Sequence, residues 1–472
     1  MRTRVRMKSV DVAIIGAGTA GLSAERVARG AGASTALIDE RFEGTTCANV
    51  GCMPSKLLIA AAAAAHAVRR ASTFGVFATH RIDGAAVMAR LRQHRDSFAA
   101  ATREQIAQLP EGVALRGTAK FVDTTTLELS GGERVQARSV VIATGSHPSI
   151  PESFAPLRHR ILTNETVFEL AQLPESLAVV GAGPLGLELA QAMARLGVAV
   201  SLFDEKAALG GIEDAALAAC MREAFANELD LHLGVKIRAA VSGDRASIRW
   251  QGERSGEKIF DRVLVAAGRP PNLAGLNLEA TGIALDERGV PEFDCETLQC
   301  GDSPIFIAGD VNADRAVLHE AQVEGSTAGF NAARFPGATR RRRSVPISIM
   351  FTDPPLALVG QQSGEGLVHG ETDYRDQGRA RVEARARGLL RIYATAPGAV
   401  LKGAALFCPA ADHLGHLLAW QINSGATATE LLEQPFYHPT LEEGLKPALR
   451  QICERARVQL APMEDPGSPS GA

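Results

Sequence analysis

A glycine-rich turn occurs twice in this chain, and both copies stand in the same context. The apolar run of residues 10–15 precedes "GAGTAG", and residues 177–180 precede "GAGPLG". In each copy a second strand-like run ends on an acid, Asp39 or Asp204, 23 positions after the first glycine. Strand, glycine turn, helix, strand and acid is the order of a dinucleotide-binding unit. Two matched copies, 165 residues apart, predict an α/β chain with two Rossmann-like domains.

The glycines and the acid of each unit have separate predicted tasks. The first glycine makes the tight turn, the second lets the backbone approach a pyrophosphate, and the third lets helix and strand pack closely. Unpaired N–H groups at the helix start face the phosphates. The acid favours a ribose with a free 2′-hydroxyl; Glu205 supports that preference and Lys206 opposes it. The predicted nucleotide-binding residues are Gly16, Gly18, Gly21 and Asp39, and in the second unit Gly181, Gly183, Gly186 and Asp204.

The remaining strand patterns divide the chain into domains. Apolar runs lead into a glycine at residues 139–148, 263–272 and 305–312. With the repeat, they predict a first domain over residues 1–149 and 273–342, interrupted by a second over residues 150–272. From residue 344 the pattern changes, which predicts a third, α+β domain over residues 343–460. The Pro/Gly/Ser-rich end, residues 461–472, is predicted to be disordered.

Charge, apolar runs and cysteine use narrow the possible partners and compartment. The net charge of −3 gives no electrostatic reason to expect nucleic acid or an acidic membrane surface as a partner. The longest apolar candidate, residues 57–68, falls short of the roughly 18 residues of a membrane span. Seven cysteines without an export signal indicate a reducing, cytoplasmic setting. The basic run of residues 340–343 is interpreted as a solvated connection between domains.

Two cysteines lie close together in "GTTCANVGCMPSK", at Cys47 and Cys52. Metal binding, a structural cross-link and a redox pair are all compatible with this spacing. Five residues of regular helix rise about 7.5 Å, beyond the roughly 7 Å Cα limit of a disulfide. A bond here therefore needs an unwound turn, which Gly51 permits. A strained, accessible disulfide is easily reduced, so the context favours a redox pair.

Other cysteine and histidine groups are predicted to carry no chemistry. Cys295 and Cys300 repeat the spacing without the glycine or a downstream lysine, so they are interpreted as ordinary thiols. Cys408, His413 and His416 resemble a metal cluster, but the two histidines lie three apart on a predicted helix, which favours helix packing. No metal site is predicted.

The motifs together resemble the class I pyridine nucleotide-disulfide oxidoreductase family over roughly residues 8–455. They include the cysteine segment after "GAGTAG", and also "ATGS", "GLELA", "AAGRPPN", "IAGDV", "LHEAQVEG", "FTDPPLALVG" and "HPTLEE". Within the family, the chain most resembles the dihydrolipoamide dehydrogenases. The resemblance implies an FAD domain, an NAD domain and a C-terminal dimerisation domain.

The resemblance also implies roles for individual residues. The first unit would hold FAD, with Asp39 on the adenosine ribose and Asp310 on the ribityl chain. Cys52 would face the flavin, Cys47 would exchange with the substrate, and Lys56, paired with Glu188, would lie near the flavin nitrogen. The second unit would hold NAD, and further implied cofactor-binding residues are Thr46, Thr144, Gly145 and Gly268.

A histidine base and a shared site complete the implied mechanism. His438, oriented by Glu443, matches the family's general base and would act on the active site of the partner subunit in a homodimer. Such a base is needed because thiolate, not thiol, attacks a disulfide, and a histidine titrates near neutral pH. The implied substrate is a dihydrolipoyl group, possibly carried on a 2-oxo acid dehydrogenase complex.

Some features depart from the family pattern and leave alternatives open. Paired glycines usually precede the first cysteine, where this chain has "GTTC", so Thr45 narrows the turn. A mercuric reductase would need a cysteine pair after Cys453, and a glutathione reductase would need arginines near Asp204; neither is present. Another disulfide reductase, or a docked subunit or redox-responsive binding protein with secondary turnover, remains the alternative.

Overall fold

The first glycine turn lies at the carboxyl edge of a seven-stranded sheet. The computed structural model describes residues 7–459. Parallel pairing sets Ile15 beside both Ile38 and Ile142, so three strands end together at the turn. The elements of this part are β1 (Met7–Ile15), α1 (Thr19–Gly30), β2 (Thr35–Asp39), α2 (Thr46–Val50), α3 (Cys52–Arg70), α4 (Gly84–Ala107), β3 (Ala114–Arg116), β4 (Ala119–Phe121), β5 (Thr126–Leu129) and β6 (Arg134–Ile142). Six of the strands follow the order β3-β2-β1-β6-β5-β4, and the seventh, from later in the chain, pairs with β6.

The second glycine turn repeats this arrangement in a five-stranded parallel sheet. Val180 lies beside Phe203 and Val265, and the strand order is β10-β9-β8-β14-β7. The antiparallel strands β11, β12 and β13 form a separate sheet beside it. The elements are β7 (Ile161–Leu162), β8 (Ser176–Val180), α5 (Pro184–Arg195), β9 (Ala199–Asp204), α6 (Ala215–Ala226), β10 (Asp230–Leu233), β11 (Lys236–Ser242), β12 (Arg245–Gln251), β13 (Gly256–Phe260) and β14 (Arg262–Val265).

Burial on both faces explains why the sequence of strand β8 is an almost continuous apolar run. All five of its residues are buried, because packed layers cover both faces of the parallel sheet. Leu177 and Val179 join the core with α5, whereas Ala178 and Val180 join a core with β12 and β13. The predicted pair of Rossmann-like domains is confirmed.

After the second unit the chain returns to the first sheet. Strand β15 (Ile305–Ile307) pairs in parallel with β6. Helix α7 (Leu318–Arg334) then packs against α1 so closely that a Cβ on Gly325 would lie 2.2 Å from the carbonyl oxygen of Ala20. This return brings Asp310 to the first glycine turn. The domain boundaries at residues 149, 272 and 342 stay predictions.

The last part of the described chain is a mixed α+β unit. Its five-stranded antiparallel sheet has the order β16-β17-β20-β19-β18, and α9 and α11 pack on it. The elements are β16 (Ile347–Met350), β17 (Leu356–Gly360), β18 (Leu367–Asp373), α8 (Gly378–Val382), β19 (Leu389–Thr395), β20 (Leu401–Phe407), α9 (Ala411–Ser424), α10 (Ala428–Leu432) and α11 (Leu445–Ala456). The predicted disordered tail, residues 461–472, lies outside the described residues.

Two expectations about apolar and basic segments need correction. The helical run Thr46–Phe74 is longer than predicted, and by length and composition alone it could span a membrane. Its polar start carries the cysteine pair and Lys56, which is bonded to Glu188 of α5. The basic run is not simply a solvated connection, because the Arg343 side chain is only 13% exposed and is ion-paired. Arg341 and Arg342 are exposed, as predicted.

Candidate active site

The two glycine turns have the same close contacts. Gly16 has a φ of +105°, and a Cβ there would lie 2.3 Å from the carbonyl oxygen of Ala143; Gly181 has a φ of +108°, and its Cβ would lie 2.4 Å from the oxygen of Ala266. Any side chain at the first glycine would therefore strain the backbone and displace the neighbouring strand. The prediction that this glycine makes the tight turn holds in both copies.

The second glycine of each turn lies where a cofactor would approach. A Cβ on Gly18 or Gly183 would meet no protein atom within 4 Å. No side chain caps the N-terminus of α1 or α5, so the first N–H groups of both helices are available to an anion. These features fit the diphosphates of FAD and NAD.

The acid of each unit also braces its own turn, which sequence reasoning did not anticipate. Asp39 Oδ2 accepts a hydrogen bond from Ala17 N at 2.9 Å. Asp204 accepts from Ala182 N at 2.6 Å and from Lys206 N at 2.7 Å. The carboxylates are thereby fixed at the strand ends, where the ribose of a bound nucleotide would lie.

A cavity of about 750 Å³ opens at the second turn. Its lining includes Gly181, Gly183, Asp204, Glu205 and Gly268. The structure thus brings the predicted NAD-binding residues to one cavity, and Gly186 packs beneath it against Gly181.

The segments that follow the first turn are joined around Asp310. Ser146 Oγ donates to Asp310 Oδ2 at 3.0 Å, and Arg269 Nε donates to Ser146 Oγ at 3.1 Å. Thr144 Oγ1 donates to the carbonyl oxygen of Asn272 at 2.7 Å, next to Gly145. Ser146 and Arg269 were not singled out, although the motifs "ATGS" and "AAGRPPN" contain them.

The cysteine pair lies at a break between two helices. Thr45 caps α2 by accepting from Ala48 N at 3.3 Å, so this departure from the family pattern has a structural use. Helix α2 ends before Gly51, whose ψ of −114° interrupts the helix, and α3 begins at Cys52. The unwound turn that the cysteine spacing required is therefore present. Cys47 and Cys52 are both thiols here, and Thr46 is exposed beside them.

The two thiols have very different acidities. A hydrogen bond from Cys47 is the main reason that the pKa of Cys52 is lowered to about 6, and the positive charge of Lys56 contributes. The same hydrogen bond, together with burial, raises the pKa of Cys47. Cys52 is also the first residue of a 19-residue helix, whose positive dipole end stabilises a thiolate. The surroundings therefore favour the thiolate at Cys52 and the thiol at Cys47.

Lys56, in the first part of the chain, is held by one residue from each of the other two parts. Its Nζ donates to Glu188 Oε2 at 2.8 Å and lies 4.5 Å from the centre of the Phe351 ring. Phe351 N donates to the other oxygen, Glu188 Oε1, at 2.8 Å. Glu188 is 5% exposed, so a paired cation is fixed one helical turn from Cys52. Phe351 was not predicted as a site residue, because its motif "FTDPP" indicated only resemblance to the family.

The predicted His438–Glu443 pair is formed just before α11 in the last unit. His438 Nδ1 lies 3.2 Å from both carboxylate oxygens of Glu443, which is buried. Thr440 N donates to Glu443 Oε2 at 2.9 Å and fixes the carboxylate. The His438 side chain is 52% exposed, and among the described residues no hydrogen bond joins it to Cys47 or Cys52. Its role stays a prediction.

The other histidine and cysteine groups behave differently from one another. His413 and His416 lie on α9 as predicted, but both are exposed, so helix packing was the wrong interpretation for them. Cys408 is fully buried. Between residues 7 and 459, no group of three or more His, Cys, Asp or Glu side chains is arranged to hold a metal ion.

A cysteine pair beside two dinucleotide-binding units is the arrangement of a flavoprotein disulfide oxidoreductase. Sequence comparison agrees with this class. The family model for pyridine nucleotide-disulphide oxidoreductases matches residues 10–328, and the model for their dimerisation domain matches residues 346–449. The chain belongs to the pyridine nucleotide-disulphide oxidoreductase family. Members of this family use FAD and NAD(P).

Named relatives divide between two activities. The chain is 30% identical to dihydrolipoyl dehydrogenase 2 of Haloarcula marismortui, over 93% of this chain and 95% of that protein. It is 32% identical to a mercuric reductase of Shigella flexneri, over 93% of this chain and 80% of that protein. Among solved structures it is similar to LpdA of Mycobacterium tuberculosis, with a TM-score of 0.81, 26% identity, and coverage of 95% and 100%.

Proposed function

We propose that this protein oxidises dihydrolipoyl dithiols and passes the electrons to NAD⁺. The observation that carries the proposal is the pair of free thiols, Cys47 and Cys52, at the helix break before α3, beside the Lys56–Glu188 ion pair. A pair of this kind can cycle between dithiol and disulfide, because the thiolate form is already present near neutral pH.

The first half of the reaction is a dithiol–disulfide exchange between the substrate and the cysteine pair, and it needs no other reactant. In the disulfide form, one substrate thiolate attacks Cys47 Sγ, the Cys47–Cys52 bond breaks, and Cys52 leaves as a thiolate. The second substrate sulfur then attacks the substrate sulfur that is bonded to Cys47, the mixed disulfide breaks, and Cys47 leaves as a thiolate. The substrate has lost two electrons and become a disulfide, while the enzyme pair has been reduced.

The protein's own groups prepare each of these steps. Cys52 is the better leaving group because its pKa is low, and leaving ability increases as thiol pKa falls. His438, held by Glu443, would accept a proton from a substrate thiol and return it to Cys47. Bound FAD would supply the two-electron relay between the dithiol pair and NAD⁺. Lys56 would keep a positive charge near the flavin, where negative charge would develop on reduction.

The choice of NAD over NADP follows from the second turn. Asp204 and Glu205 line the cavity at the strand end, where the 2′-position of the ribose would lie. A 2′-phosphate would meet these carboxylates and be repelled. Lys206 also lines the cavity, and its side-chain charge would favour a 2′-phosphate, while its backbone N–H donates to Asp204.

The proposal includes a homodimer with shared active sites. The dimerisation-domain match supports the dimer. Support for sharing comes from His438 and Tyr437, whose side chains are exposed in the single chain, Tyr437 at 84%. His438 would then meet the cysteine pair of the other subunit. A reducing, cytoplasmic setting, and docking to a 2-oxo acid dehydrogenase complex, belong to the same proposal.

Mercuric ion reduction is the second candidate, favoured by the relatives that carry that name. Against it, Cys453 is the only cysteine after Cys408 among the described residues, and it is fully buried. This leaves no accessible cysteine pair in the last part of the described chain to receive the metal ion.

A steady-state comparison tests the proposal. Reduction of NAD⁺ by dihydrolipoamide should exceed NADPH oxidation by either oxidised glutathione or Hg(II) in kcat/KM. Cys295→Ser, which removes an exposed thiol outside the pair, is the matched control and should leave all three rates unchanged. Faster turnover with NADPH and Hg(II) would replace the proposal with the second candidate, and activity with neither dithiol nor metal would contradict both.

A further inference from the structure

The basic run of residues 340–343 contains one arginine that the dinucleotide and dithiol sites leave unexplained. Arg343 is ion-paired to Asp314, to Glu320 at 3.2 Å and to Glu324 at 2.7 Å. Arg342, one position earlier, is exposed. The Arg343 side chain is largely buried and pairs with three carboxylates, as a buried charge requires.

The second carboxylate oxygen of Glu324 accepts hydrogen bonds from the turn that follows β15. Glu324 Oε2 accepts from Gly309 N and from Asn312 Nδ2, both at 2.8 Å. Arg343 Nη2 donates to Oε1, and Glu324 is only 2% exposed. The carboxylate therefore links the arginine directly to the backbone of the turn.

This turn lies against the first nucleotide-binding helix. A Cβ on Gly309 would lie 2.9 Å from the Cβ of Ala20 in α1, so the turn has no room to shift toward the helix. Asp310 follows immediately, and its carboxylate accepts from Ser146 Oγ. A change in the position of Glu324 would be transmitted through Gly309 to Asp310.

We propose that Arg343 and Glu324 are positioning residues for the flavin site: Arg343 holds Glu324, and Glu324 fixes the turn that carries Asp310 against α1. Neither residue is assigned a contact with the flavin. The inference depends on FAD binding at the first glycine turn and not on which dithiol is the substrate. It also connects the flavin turn to the chain segment that leads into β16, four residues after Arg343.

FAD affinity of two adjacent arginine variants tests the inference. Apoprotein of the full chain is titrated with FAD, and binding is followed by flavin fluorescence. Arg343→Gln should raise the Kd for FAD by about tenfold or more, the equivalent of one lost charge-assisted interaction. Arg342→Gln removes the same charge one position away and should bind FAD like the wild type. Wild-type FAD affinity in Arg343→Gln would overturn the inference.

The second nucleotide site supplies an internal control for folding. The Kd for NAD⁺ should be unchanged in Arg343→Gln, because the turn at Gly181 is in the other Rossmann-like unit. Loss of affinity for FAD and NAD⁺ together would indicate a general folding defect and would contradict a local positioning role.

Two further variants separate charge from geometry. Arg343→Lys keeps the charge but not the planar fork, so it should recover only part of the FAD affinity. Combining Arg343→Gln with Glu324→Gln should weaken FAD binding less than the sum of the single effects, because both act through one contact. Full recovery by lysine, or fully additive effects, would show that the two residues do not work through this geometry.

Discussion

At the residue scale, Cys52 is the most informative side chain. It combines a hydrogen bond from Cys47, a position at the start of α3, and a lysine one turn away. Sequence reasoning singled out the two cysteines and the lysine because all three lie within ten residues. What it could not supply is the relative acidity of the two thiols, which depends on how the break at Gly51 brings the sulfurs together.

The pH dependence of alkylation tests the acidity of Cys52. Since the pKa is depressed, the thiolate is present above the folded-state pKa and is lost as pH falls through it. In the reduced protein, the rate of Cys52 alkylation by iodoacetamide, followed by peptide mass spectrometry, should therefore rise with a midpoint near pH 6. Cys47→Ala should move the midpoint upward by more than Lys56→Gln, because the hydrogen bond is the larger cause. A wild-type midpoint near the ordinary value of about 8.5 would contradict this account.

At the scale of the element, the glycine turn separates a binding position from a packing position. A Cβ on Gly183 would meet nothing within 4 Å, whereas a Cβ on Gly186 would lie 1.9 Å from the carbonyl oxygen of Gly181. Gly183 therefore leaves space for a bound nucleotide, whereas Gly186 allows the helix to pack against the first glycine of the motif.

Substituting these two glycines should have opposite consequences. Gly183→Val should leave the Tm close to wild type but raise the KM for NAD⁺ about tenfold or more, because its side chain enters only the nucleotide's space. Gly186→Ala should lower the Tm, with a destabilisation of about 1–3 kcal/mol from overpacking. Thermal unfolding and steady-state kinetics on both variants check this. A stable Gly186→Ala or an unstable Gly183→Val would reverse the assignment.

The elements also show where sequence reasoning works and where it fails. The two turns were predicted correctly because glycine, strand and acid are neighbours in the chain. The burial of Arg343 was missed because its partners Glu320 and Glu324 lie about 20 residues earlier and only the return of the chain along α7 brings them together. The exposure of His413 and His416 was missed because a helical spacing does not say which face is covered.

At the scale of the whole molecule, the two halves of the proposed catalytic site lie in different units of the single chain, and no hydrogen bond joins them among the described residues. The cysteine pair lies between the two nucleotide-binding units, and the His438–Glu443 pair lies in the dimerisation unit. Because dimers of one chain are symmetric, a contact between the two halves across the interface would form twice.

Subunit exchange tests this arrangement. His438→Ala and Cys47→Ser should each be inactive with dihydrolipoamide. A hybrid dimer would contain one intact site, with Cys47 from one subunit and His438 from the other. An equal mixture after random exchange should recover about a quarter of wild-type activity. A mixture that stays inactive although exchange is demonstrated, or an active monomer, would contradict the shared site.

Electrons from a dithiol should reach NAD⁺ only through the Cys47–Cys52 pair, and a Cys47→Ser variant tests this route. Cys47→Ser keeps the nucleotide sites and Lys56 but cannot form the mixed disulfide. Its rate of NAD⁺ reduction by dihydrolipoamide should fall by roughly 10³ or more, since the attacked sulfur is lost. Oxidation of NADH by an artificial acceptor, which bypasses the pair, should persist near the wild-type rate. Dithiol oxidation that survived in Cys47→Ser would contradict the account.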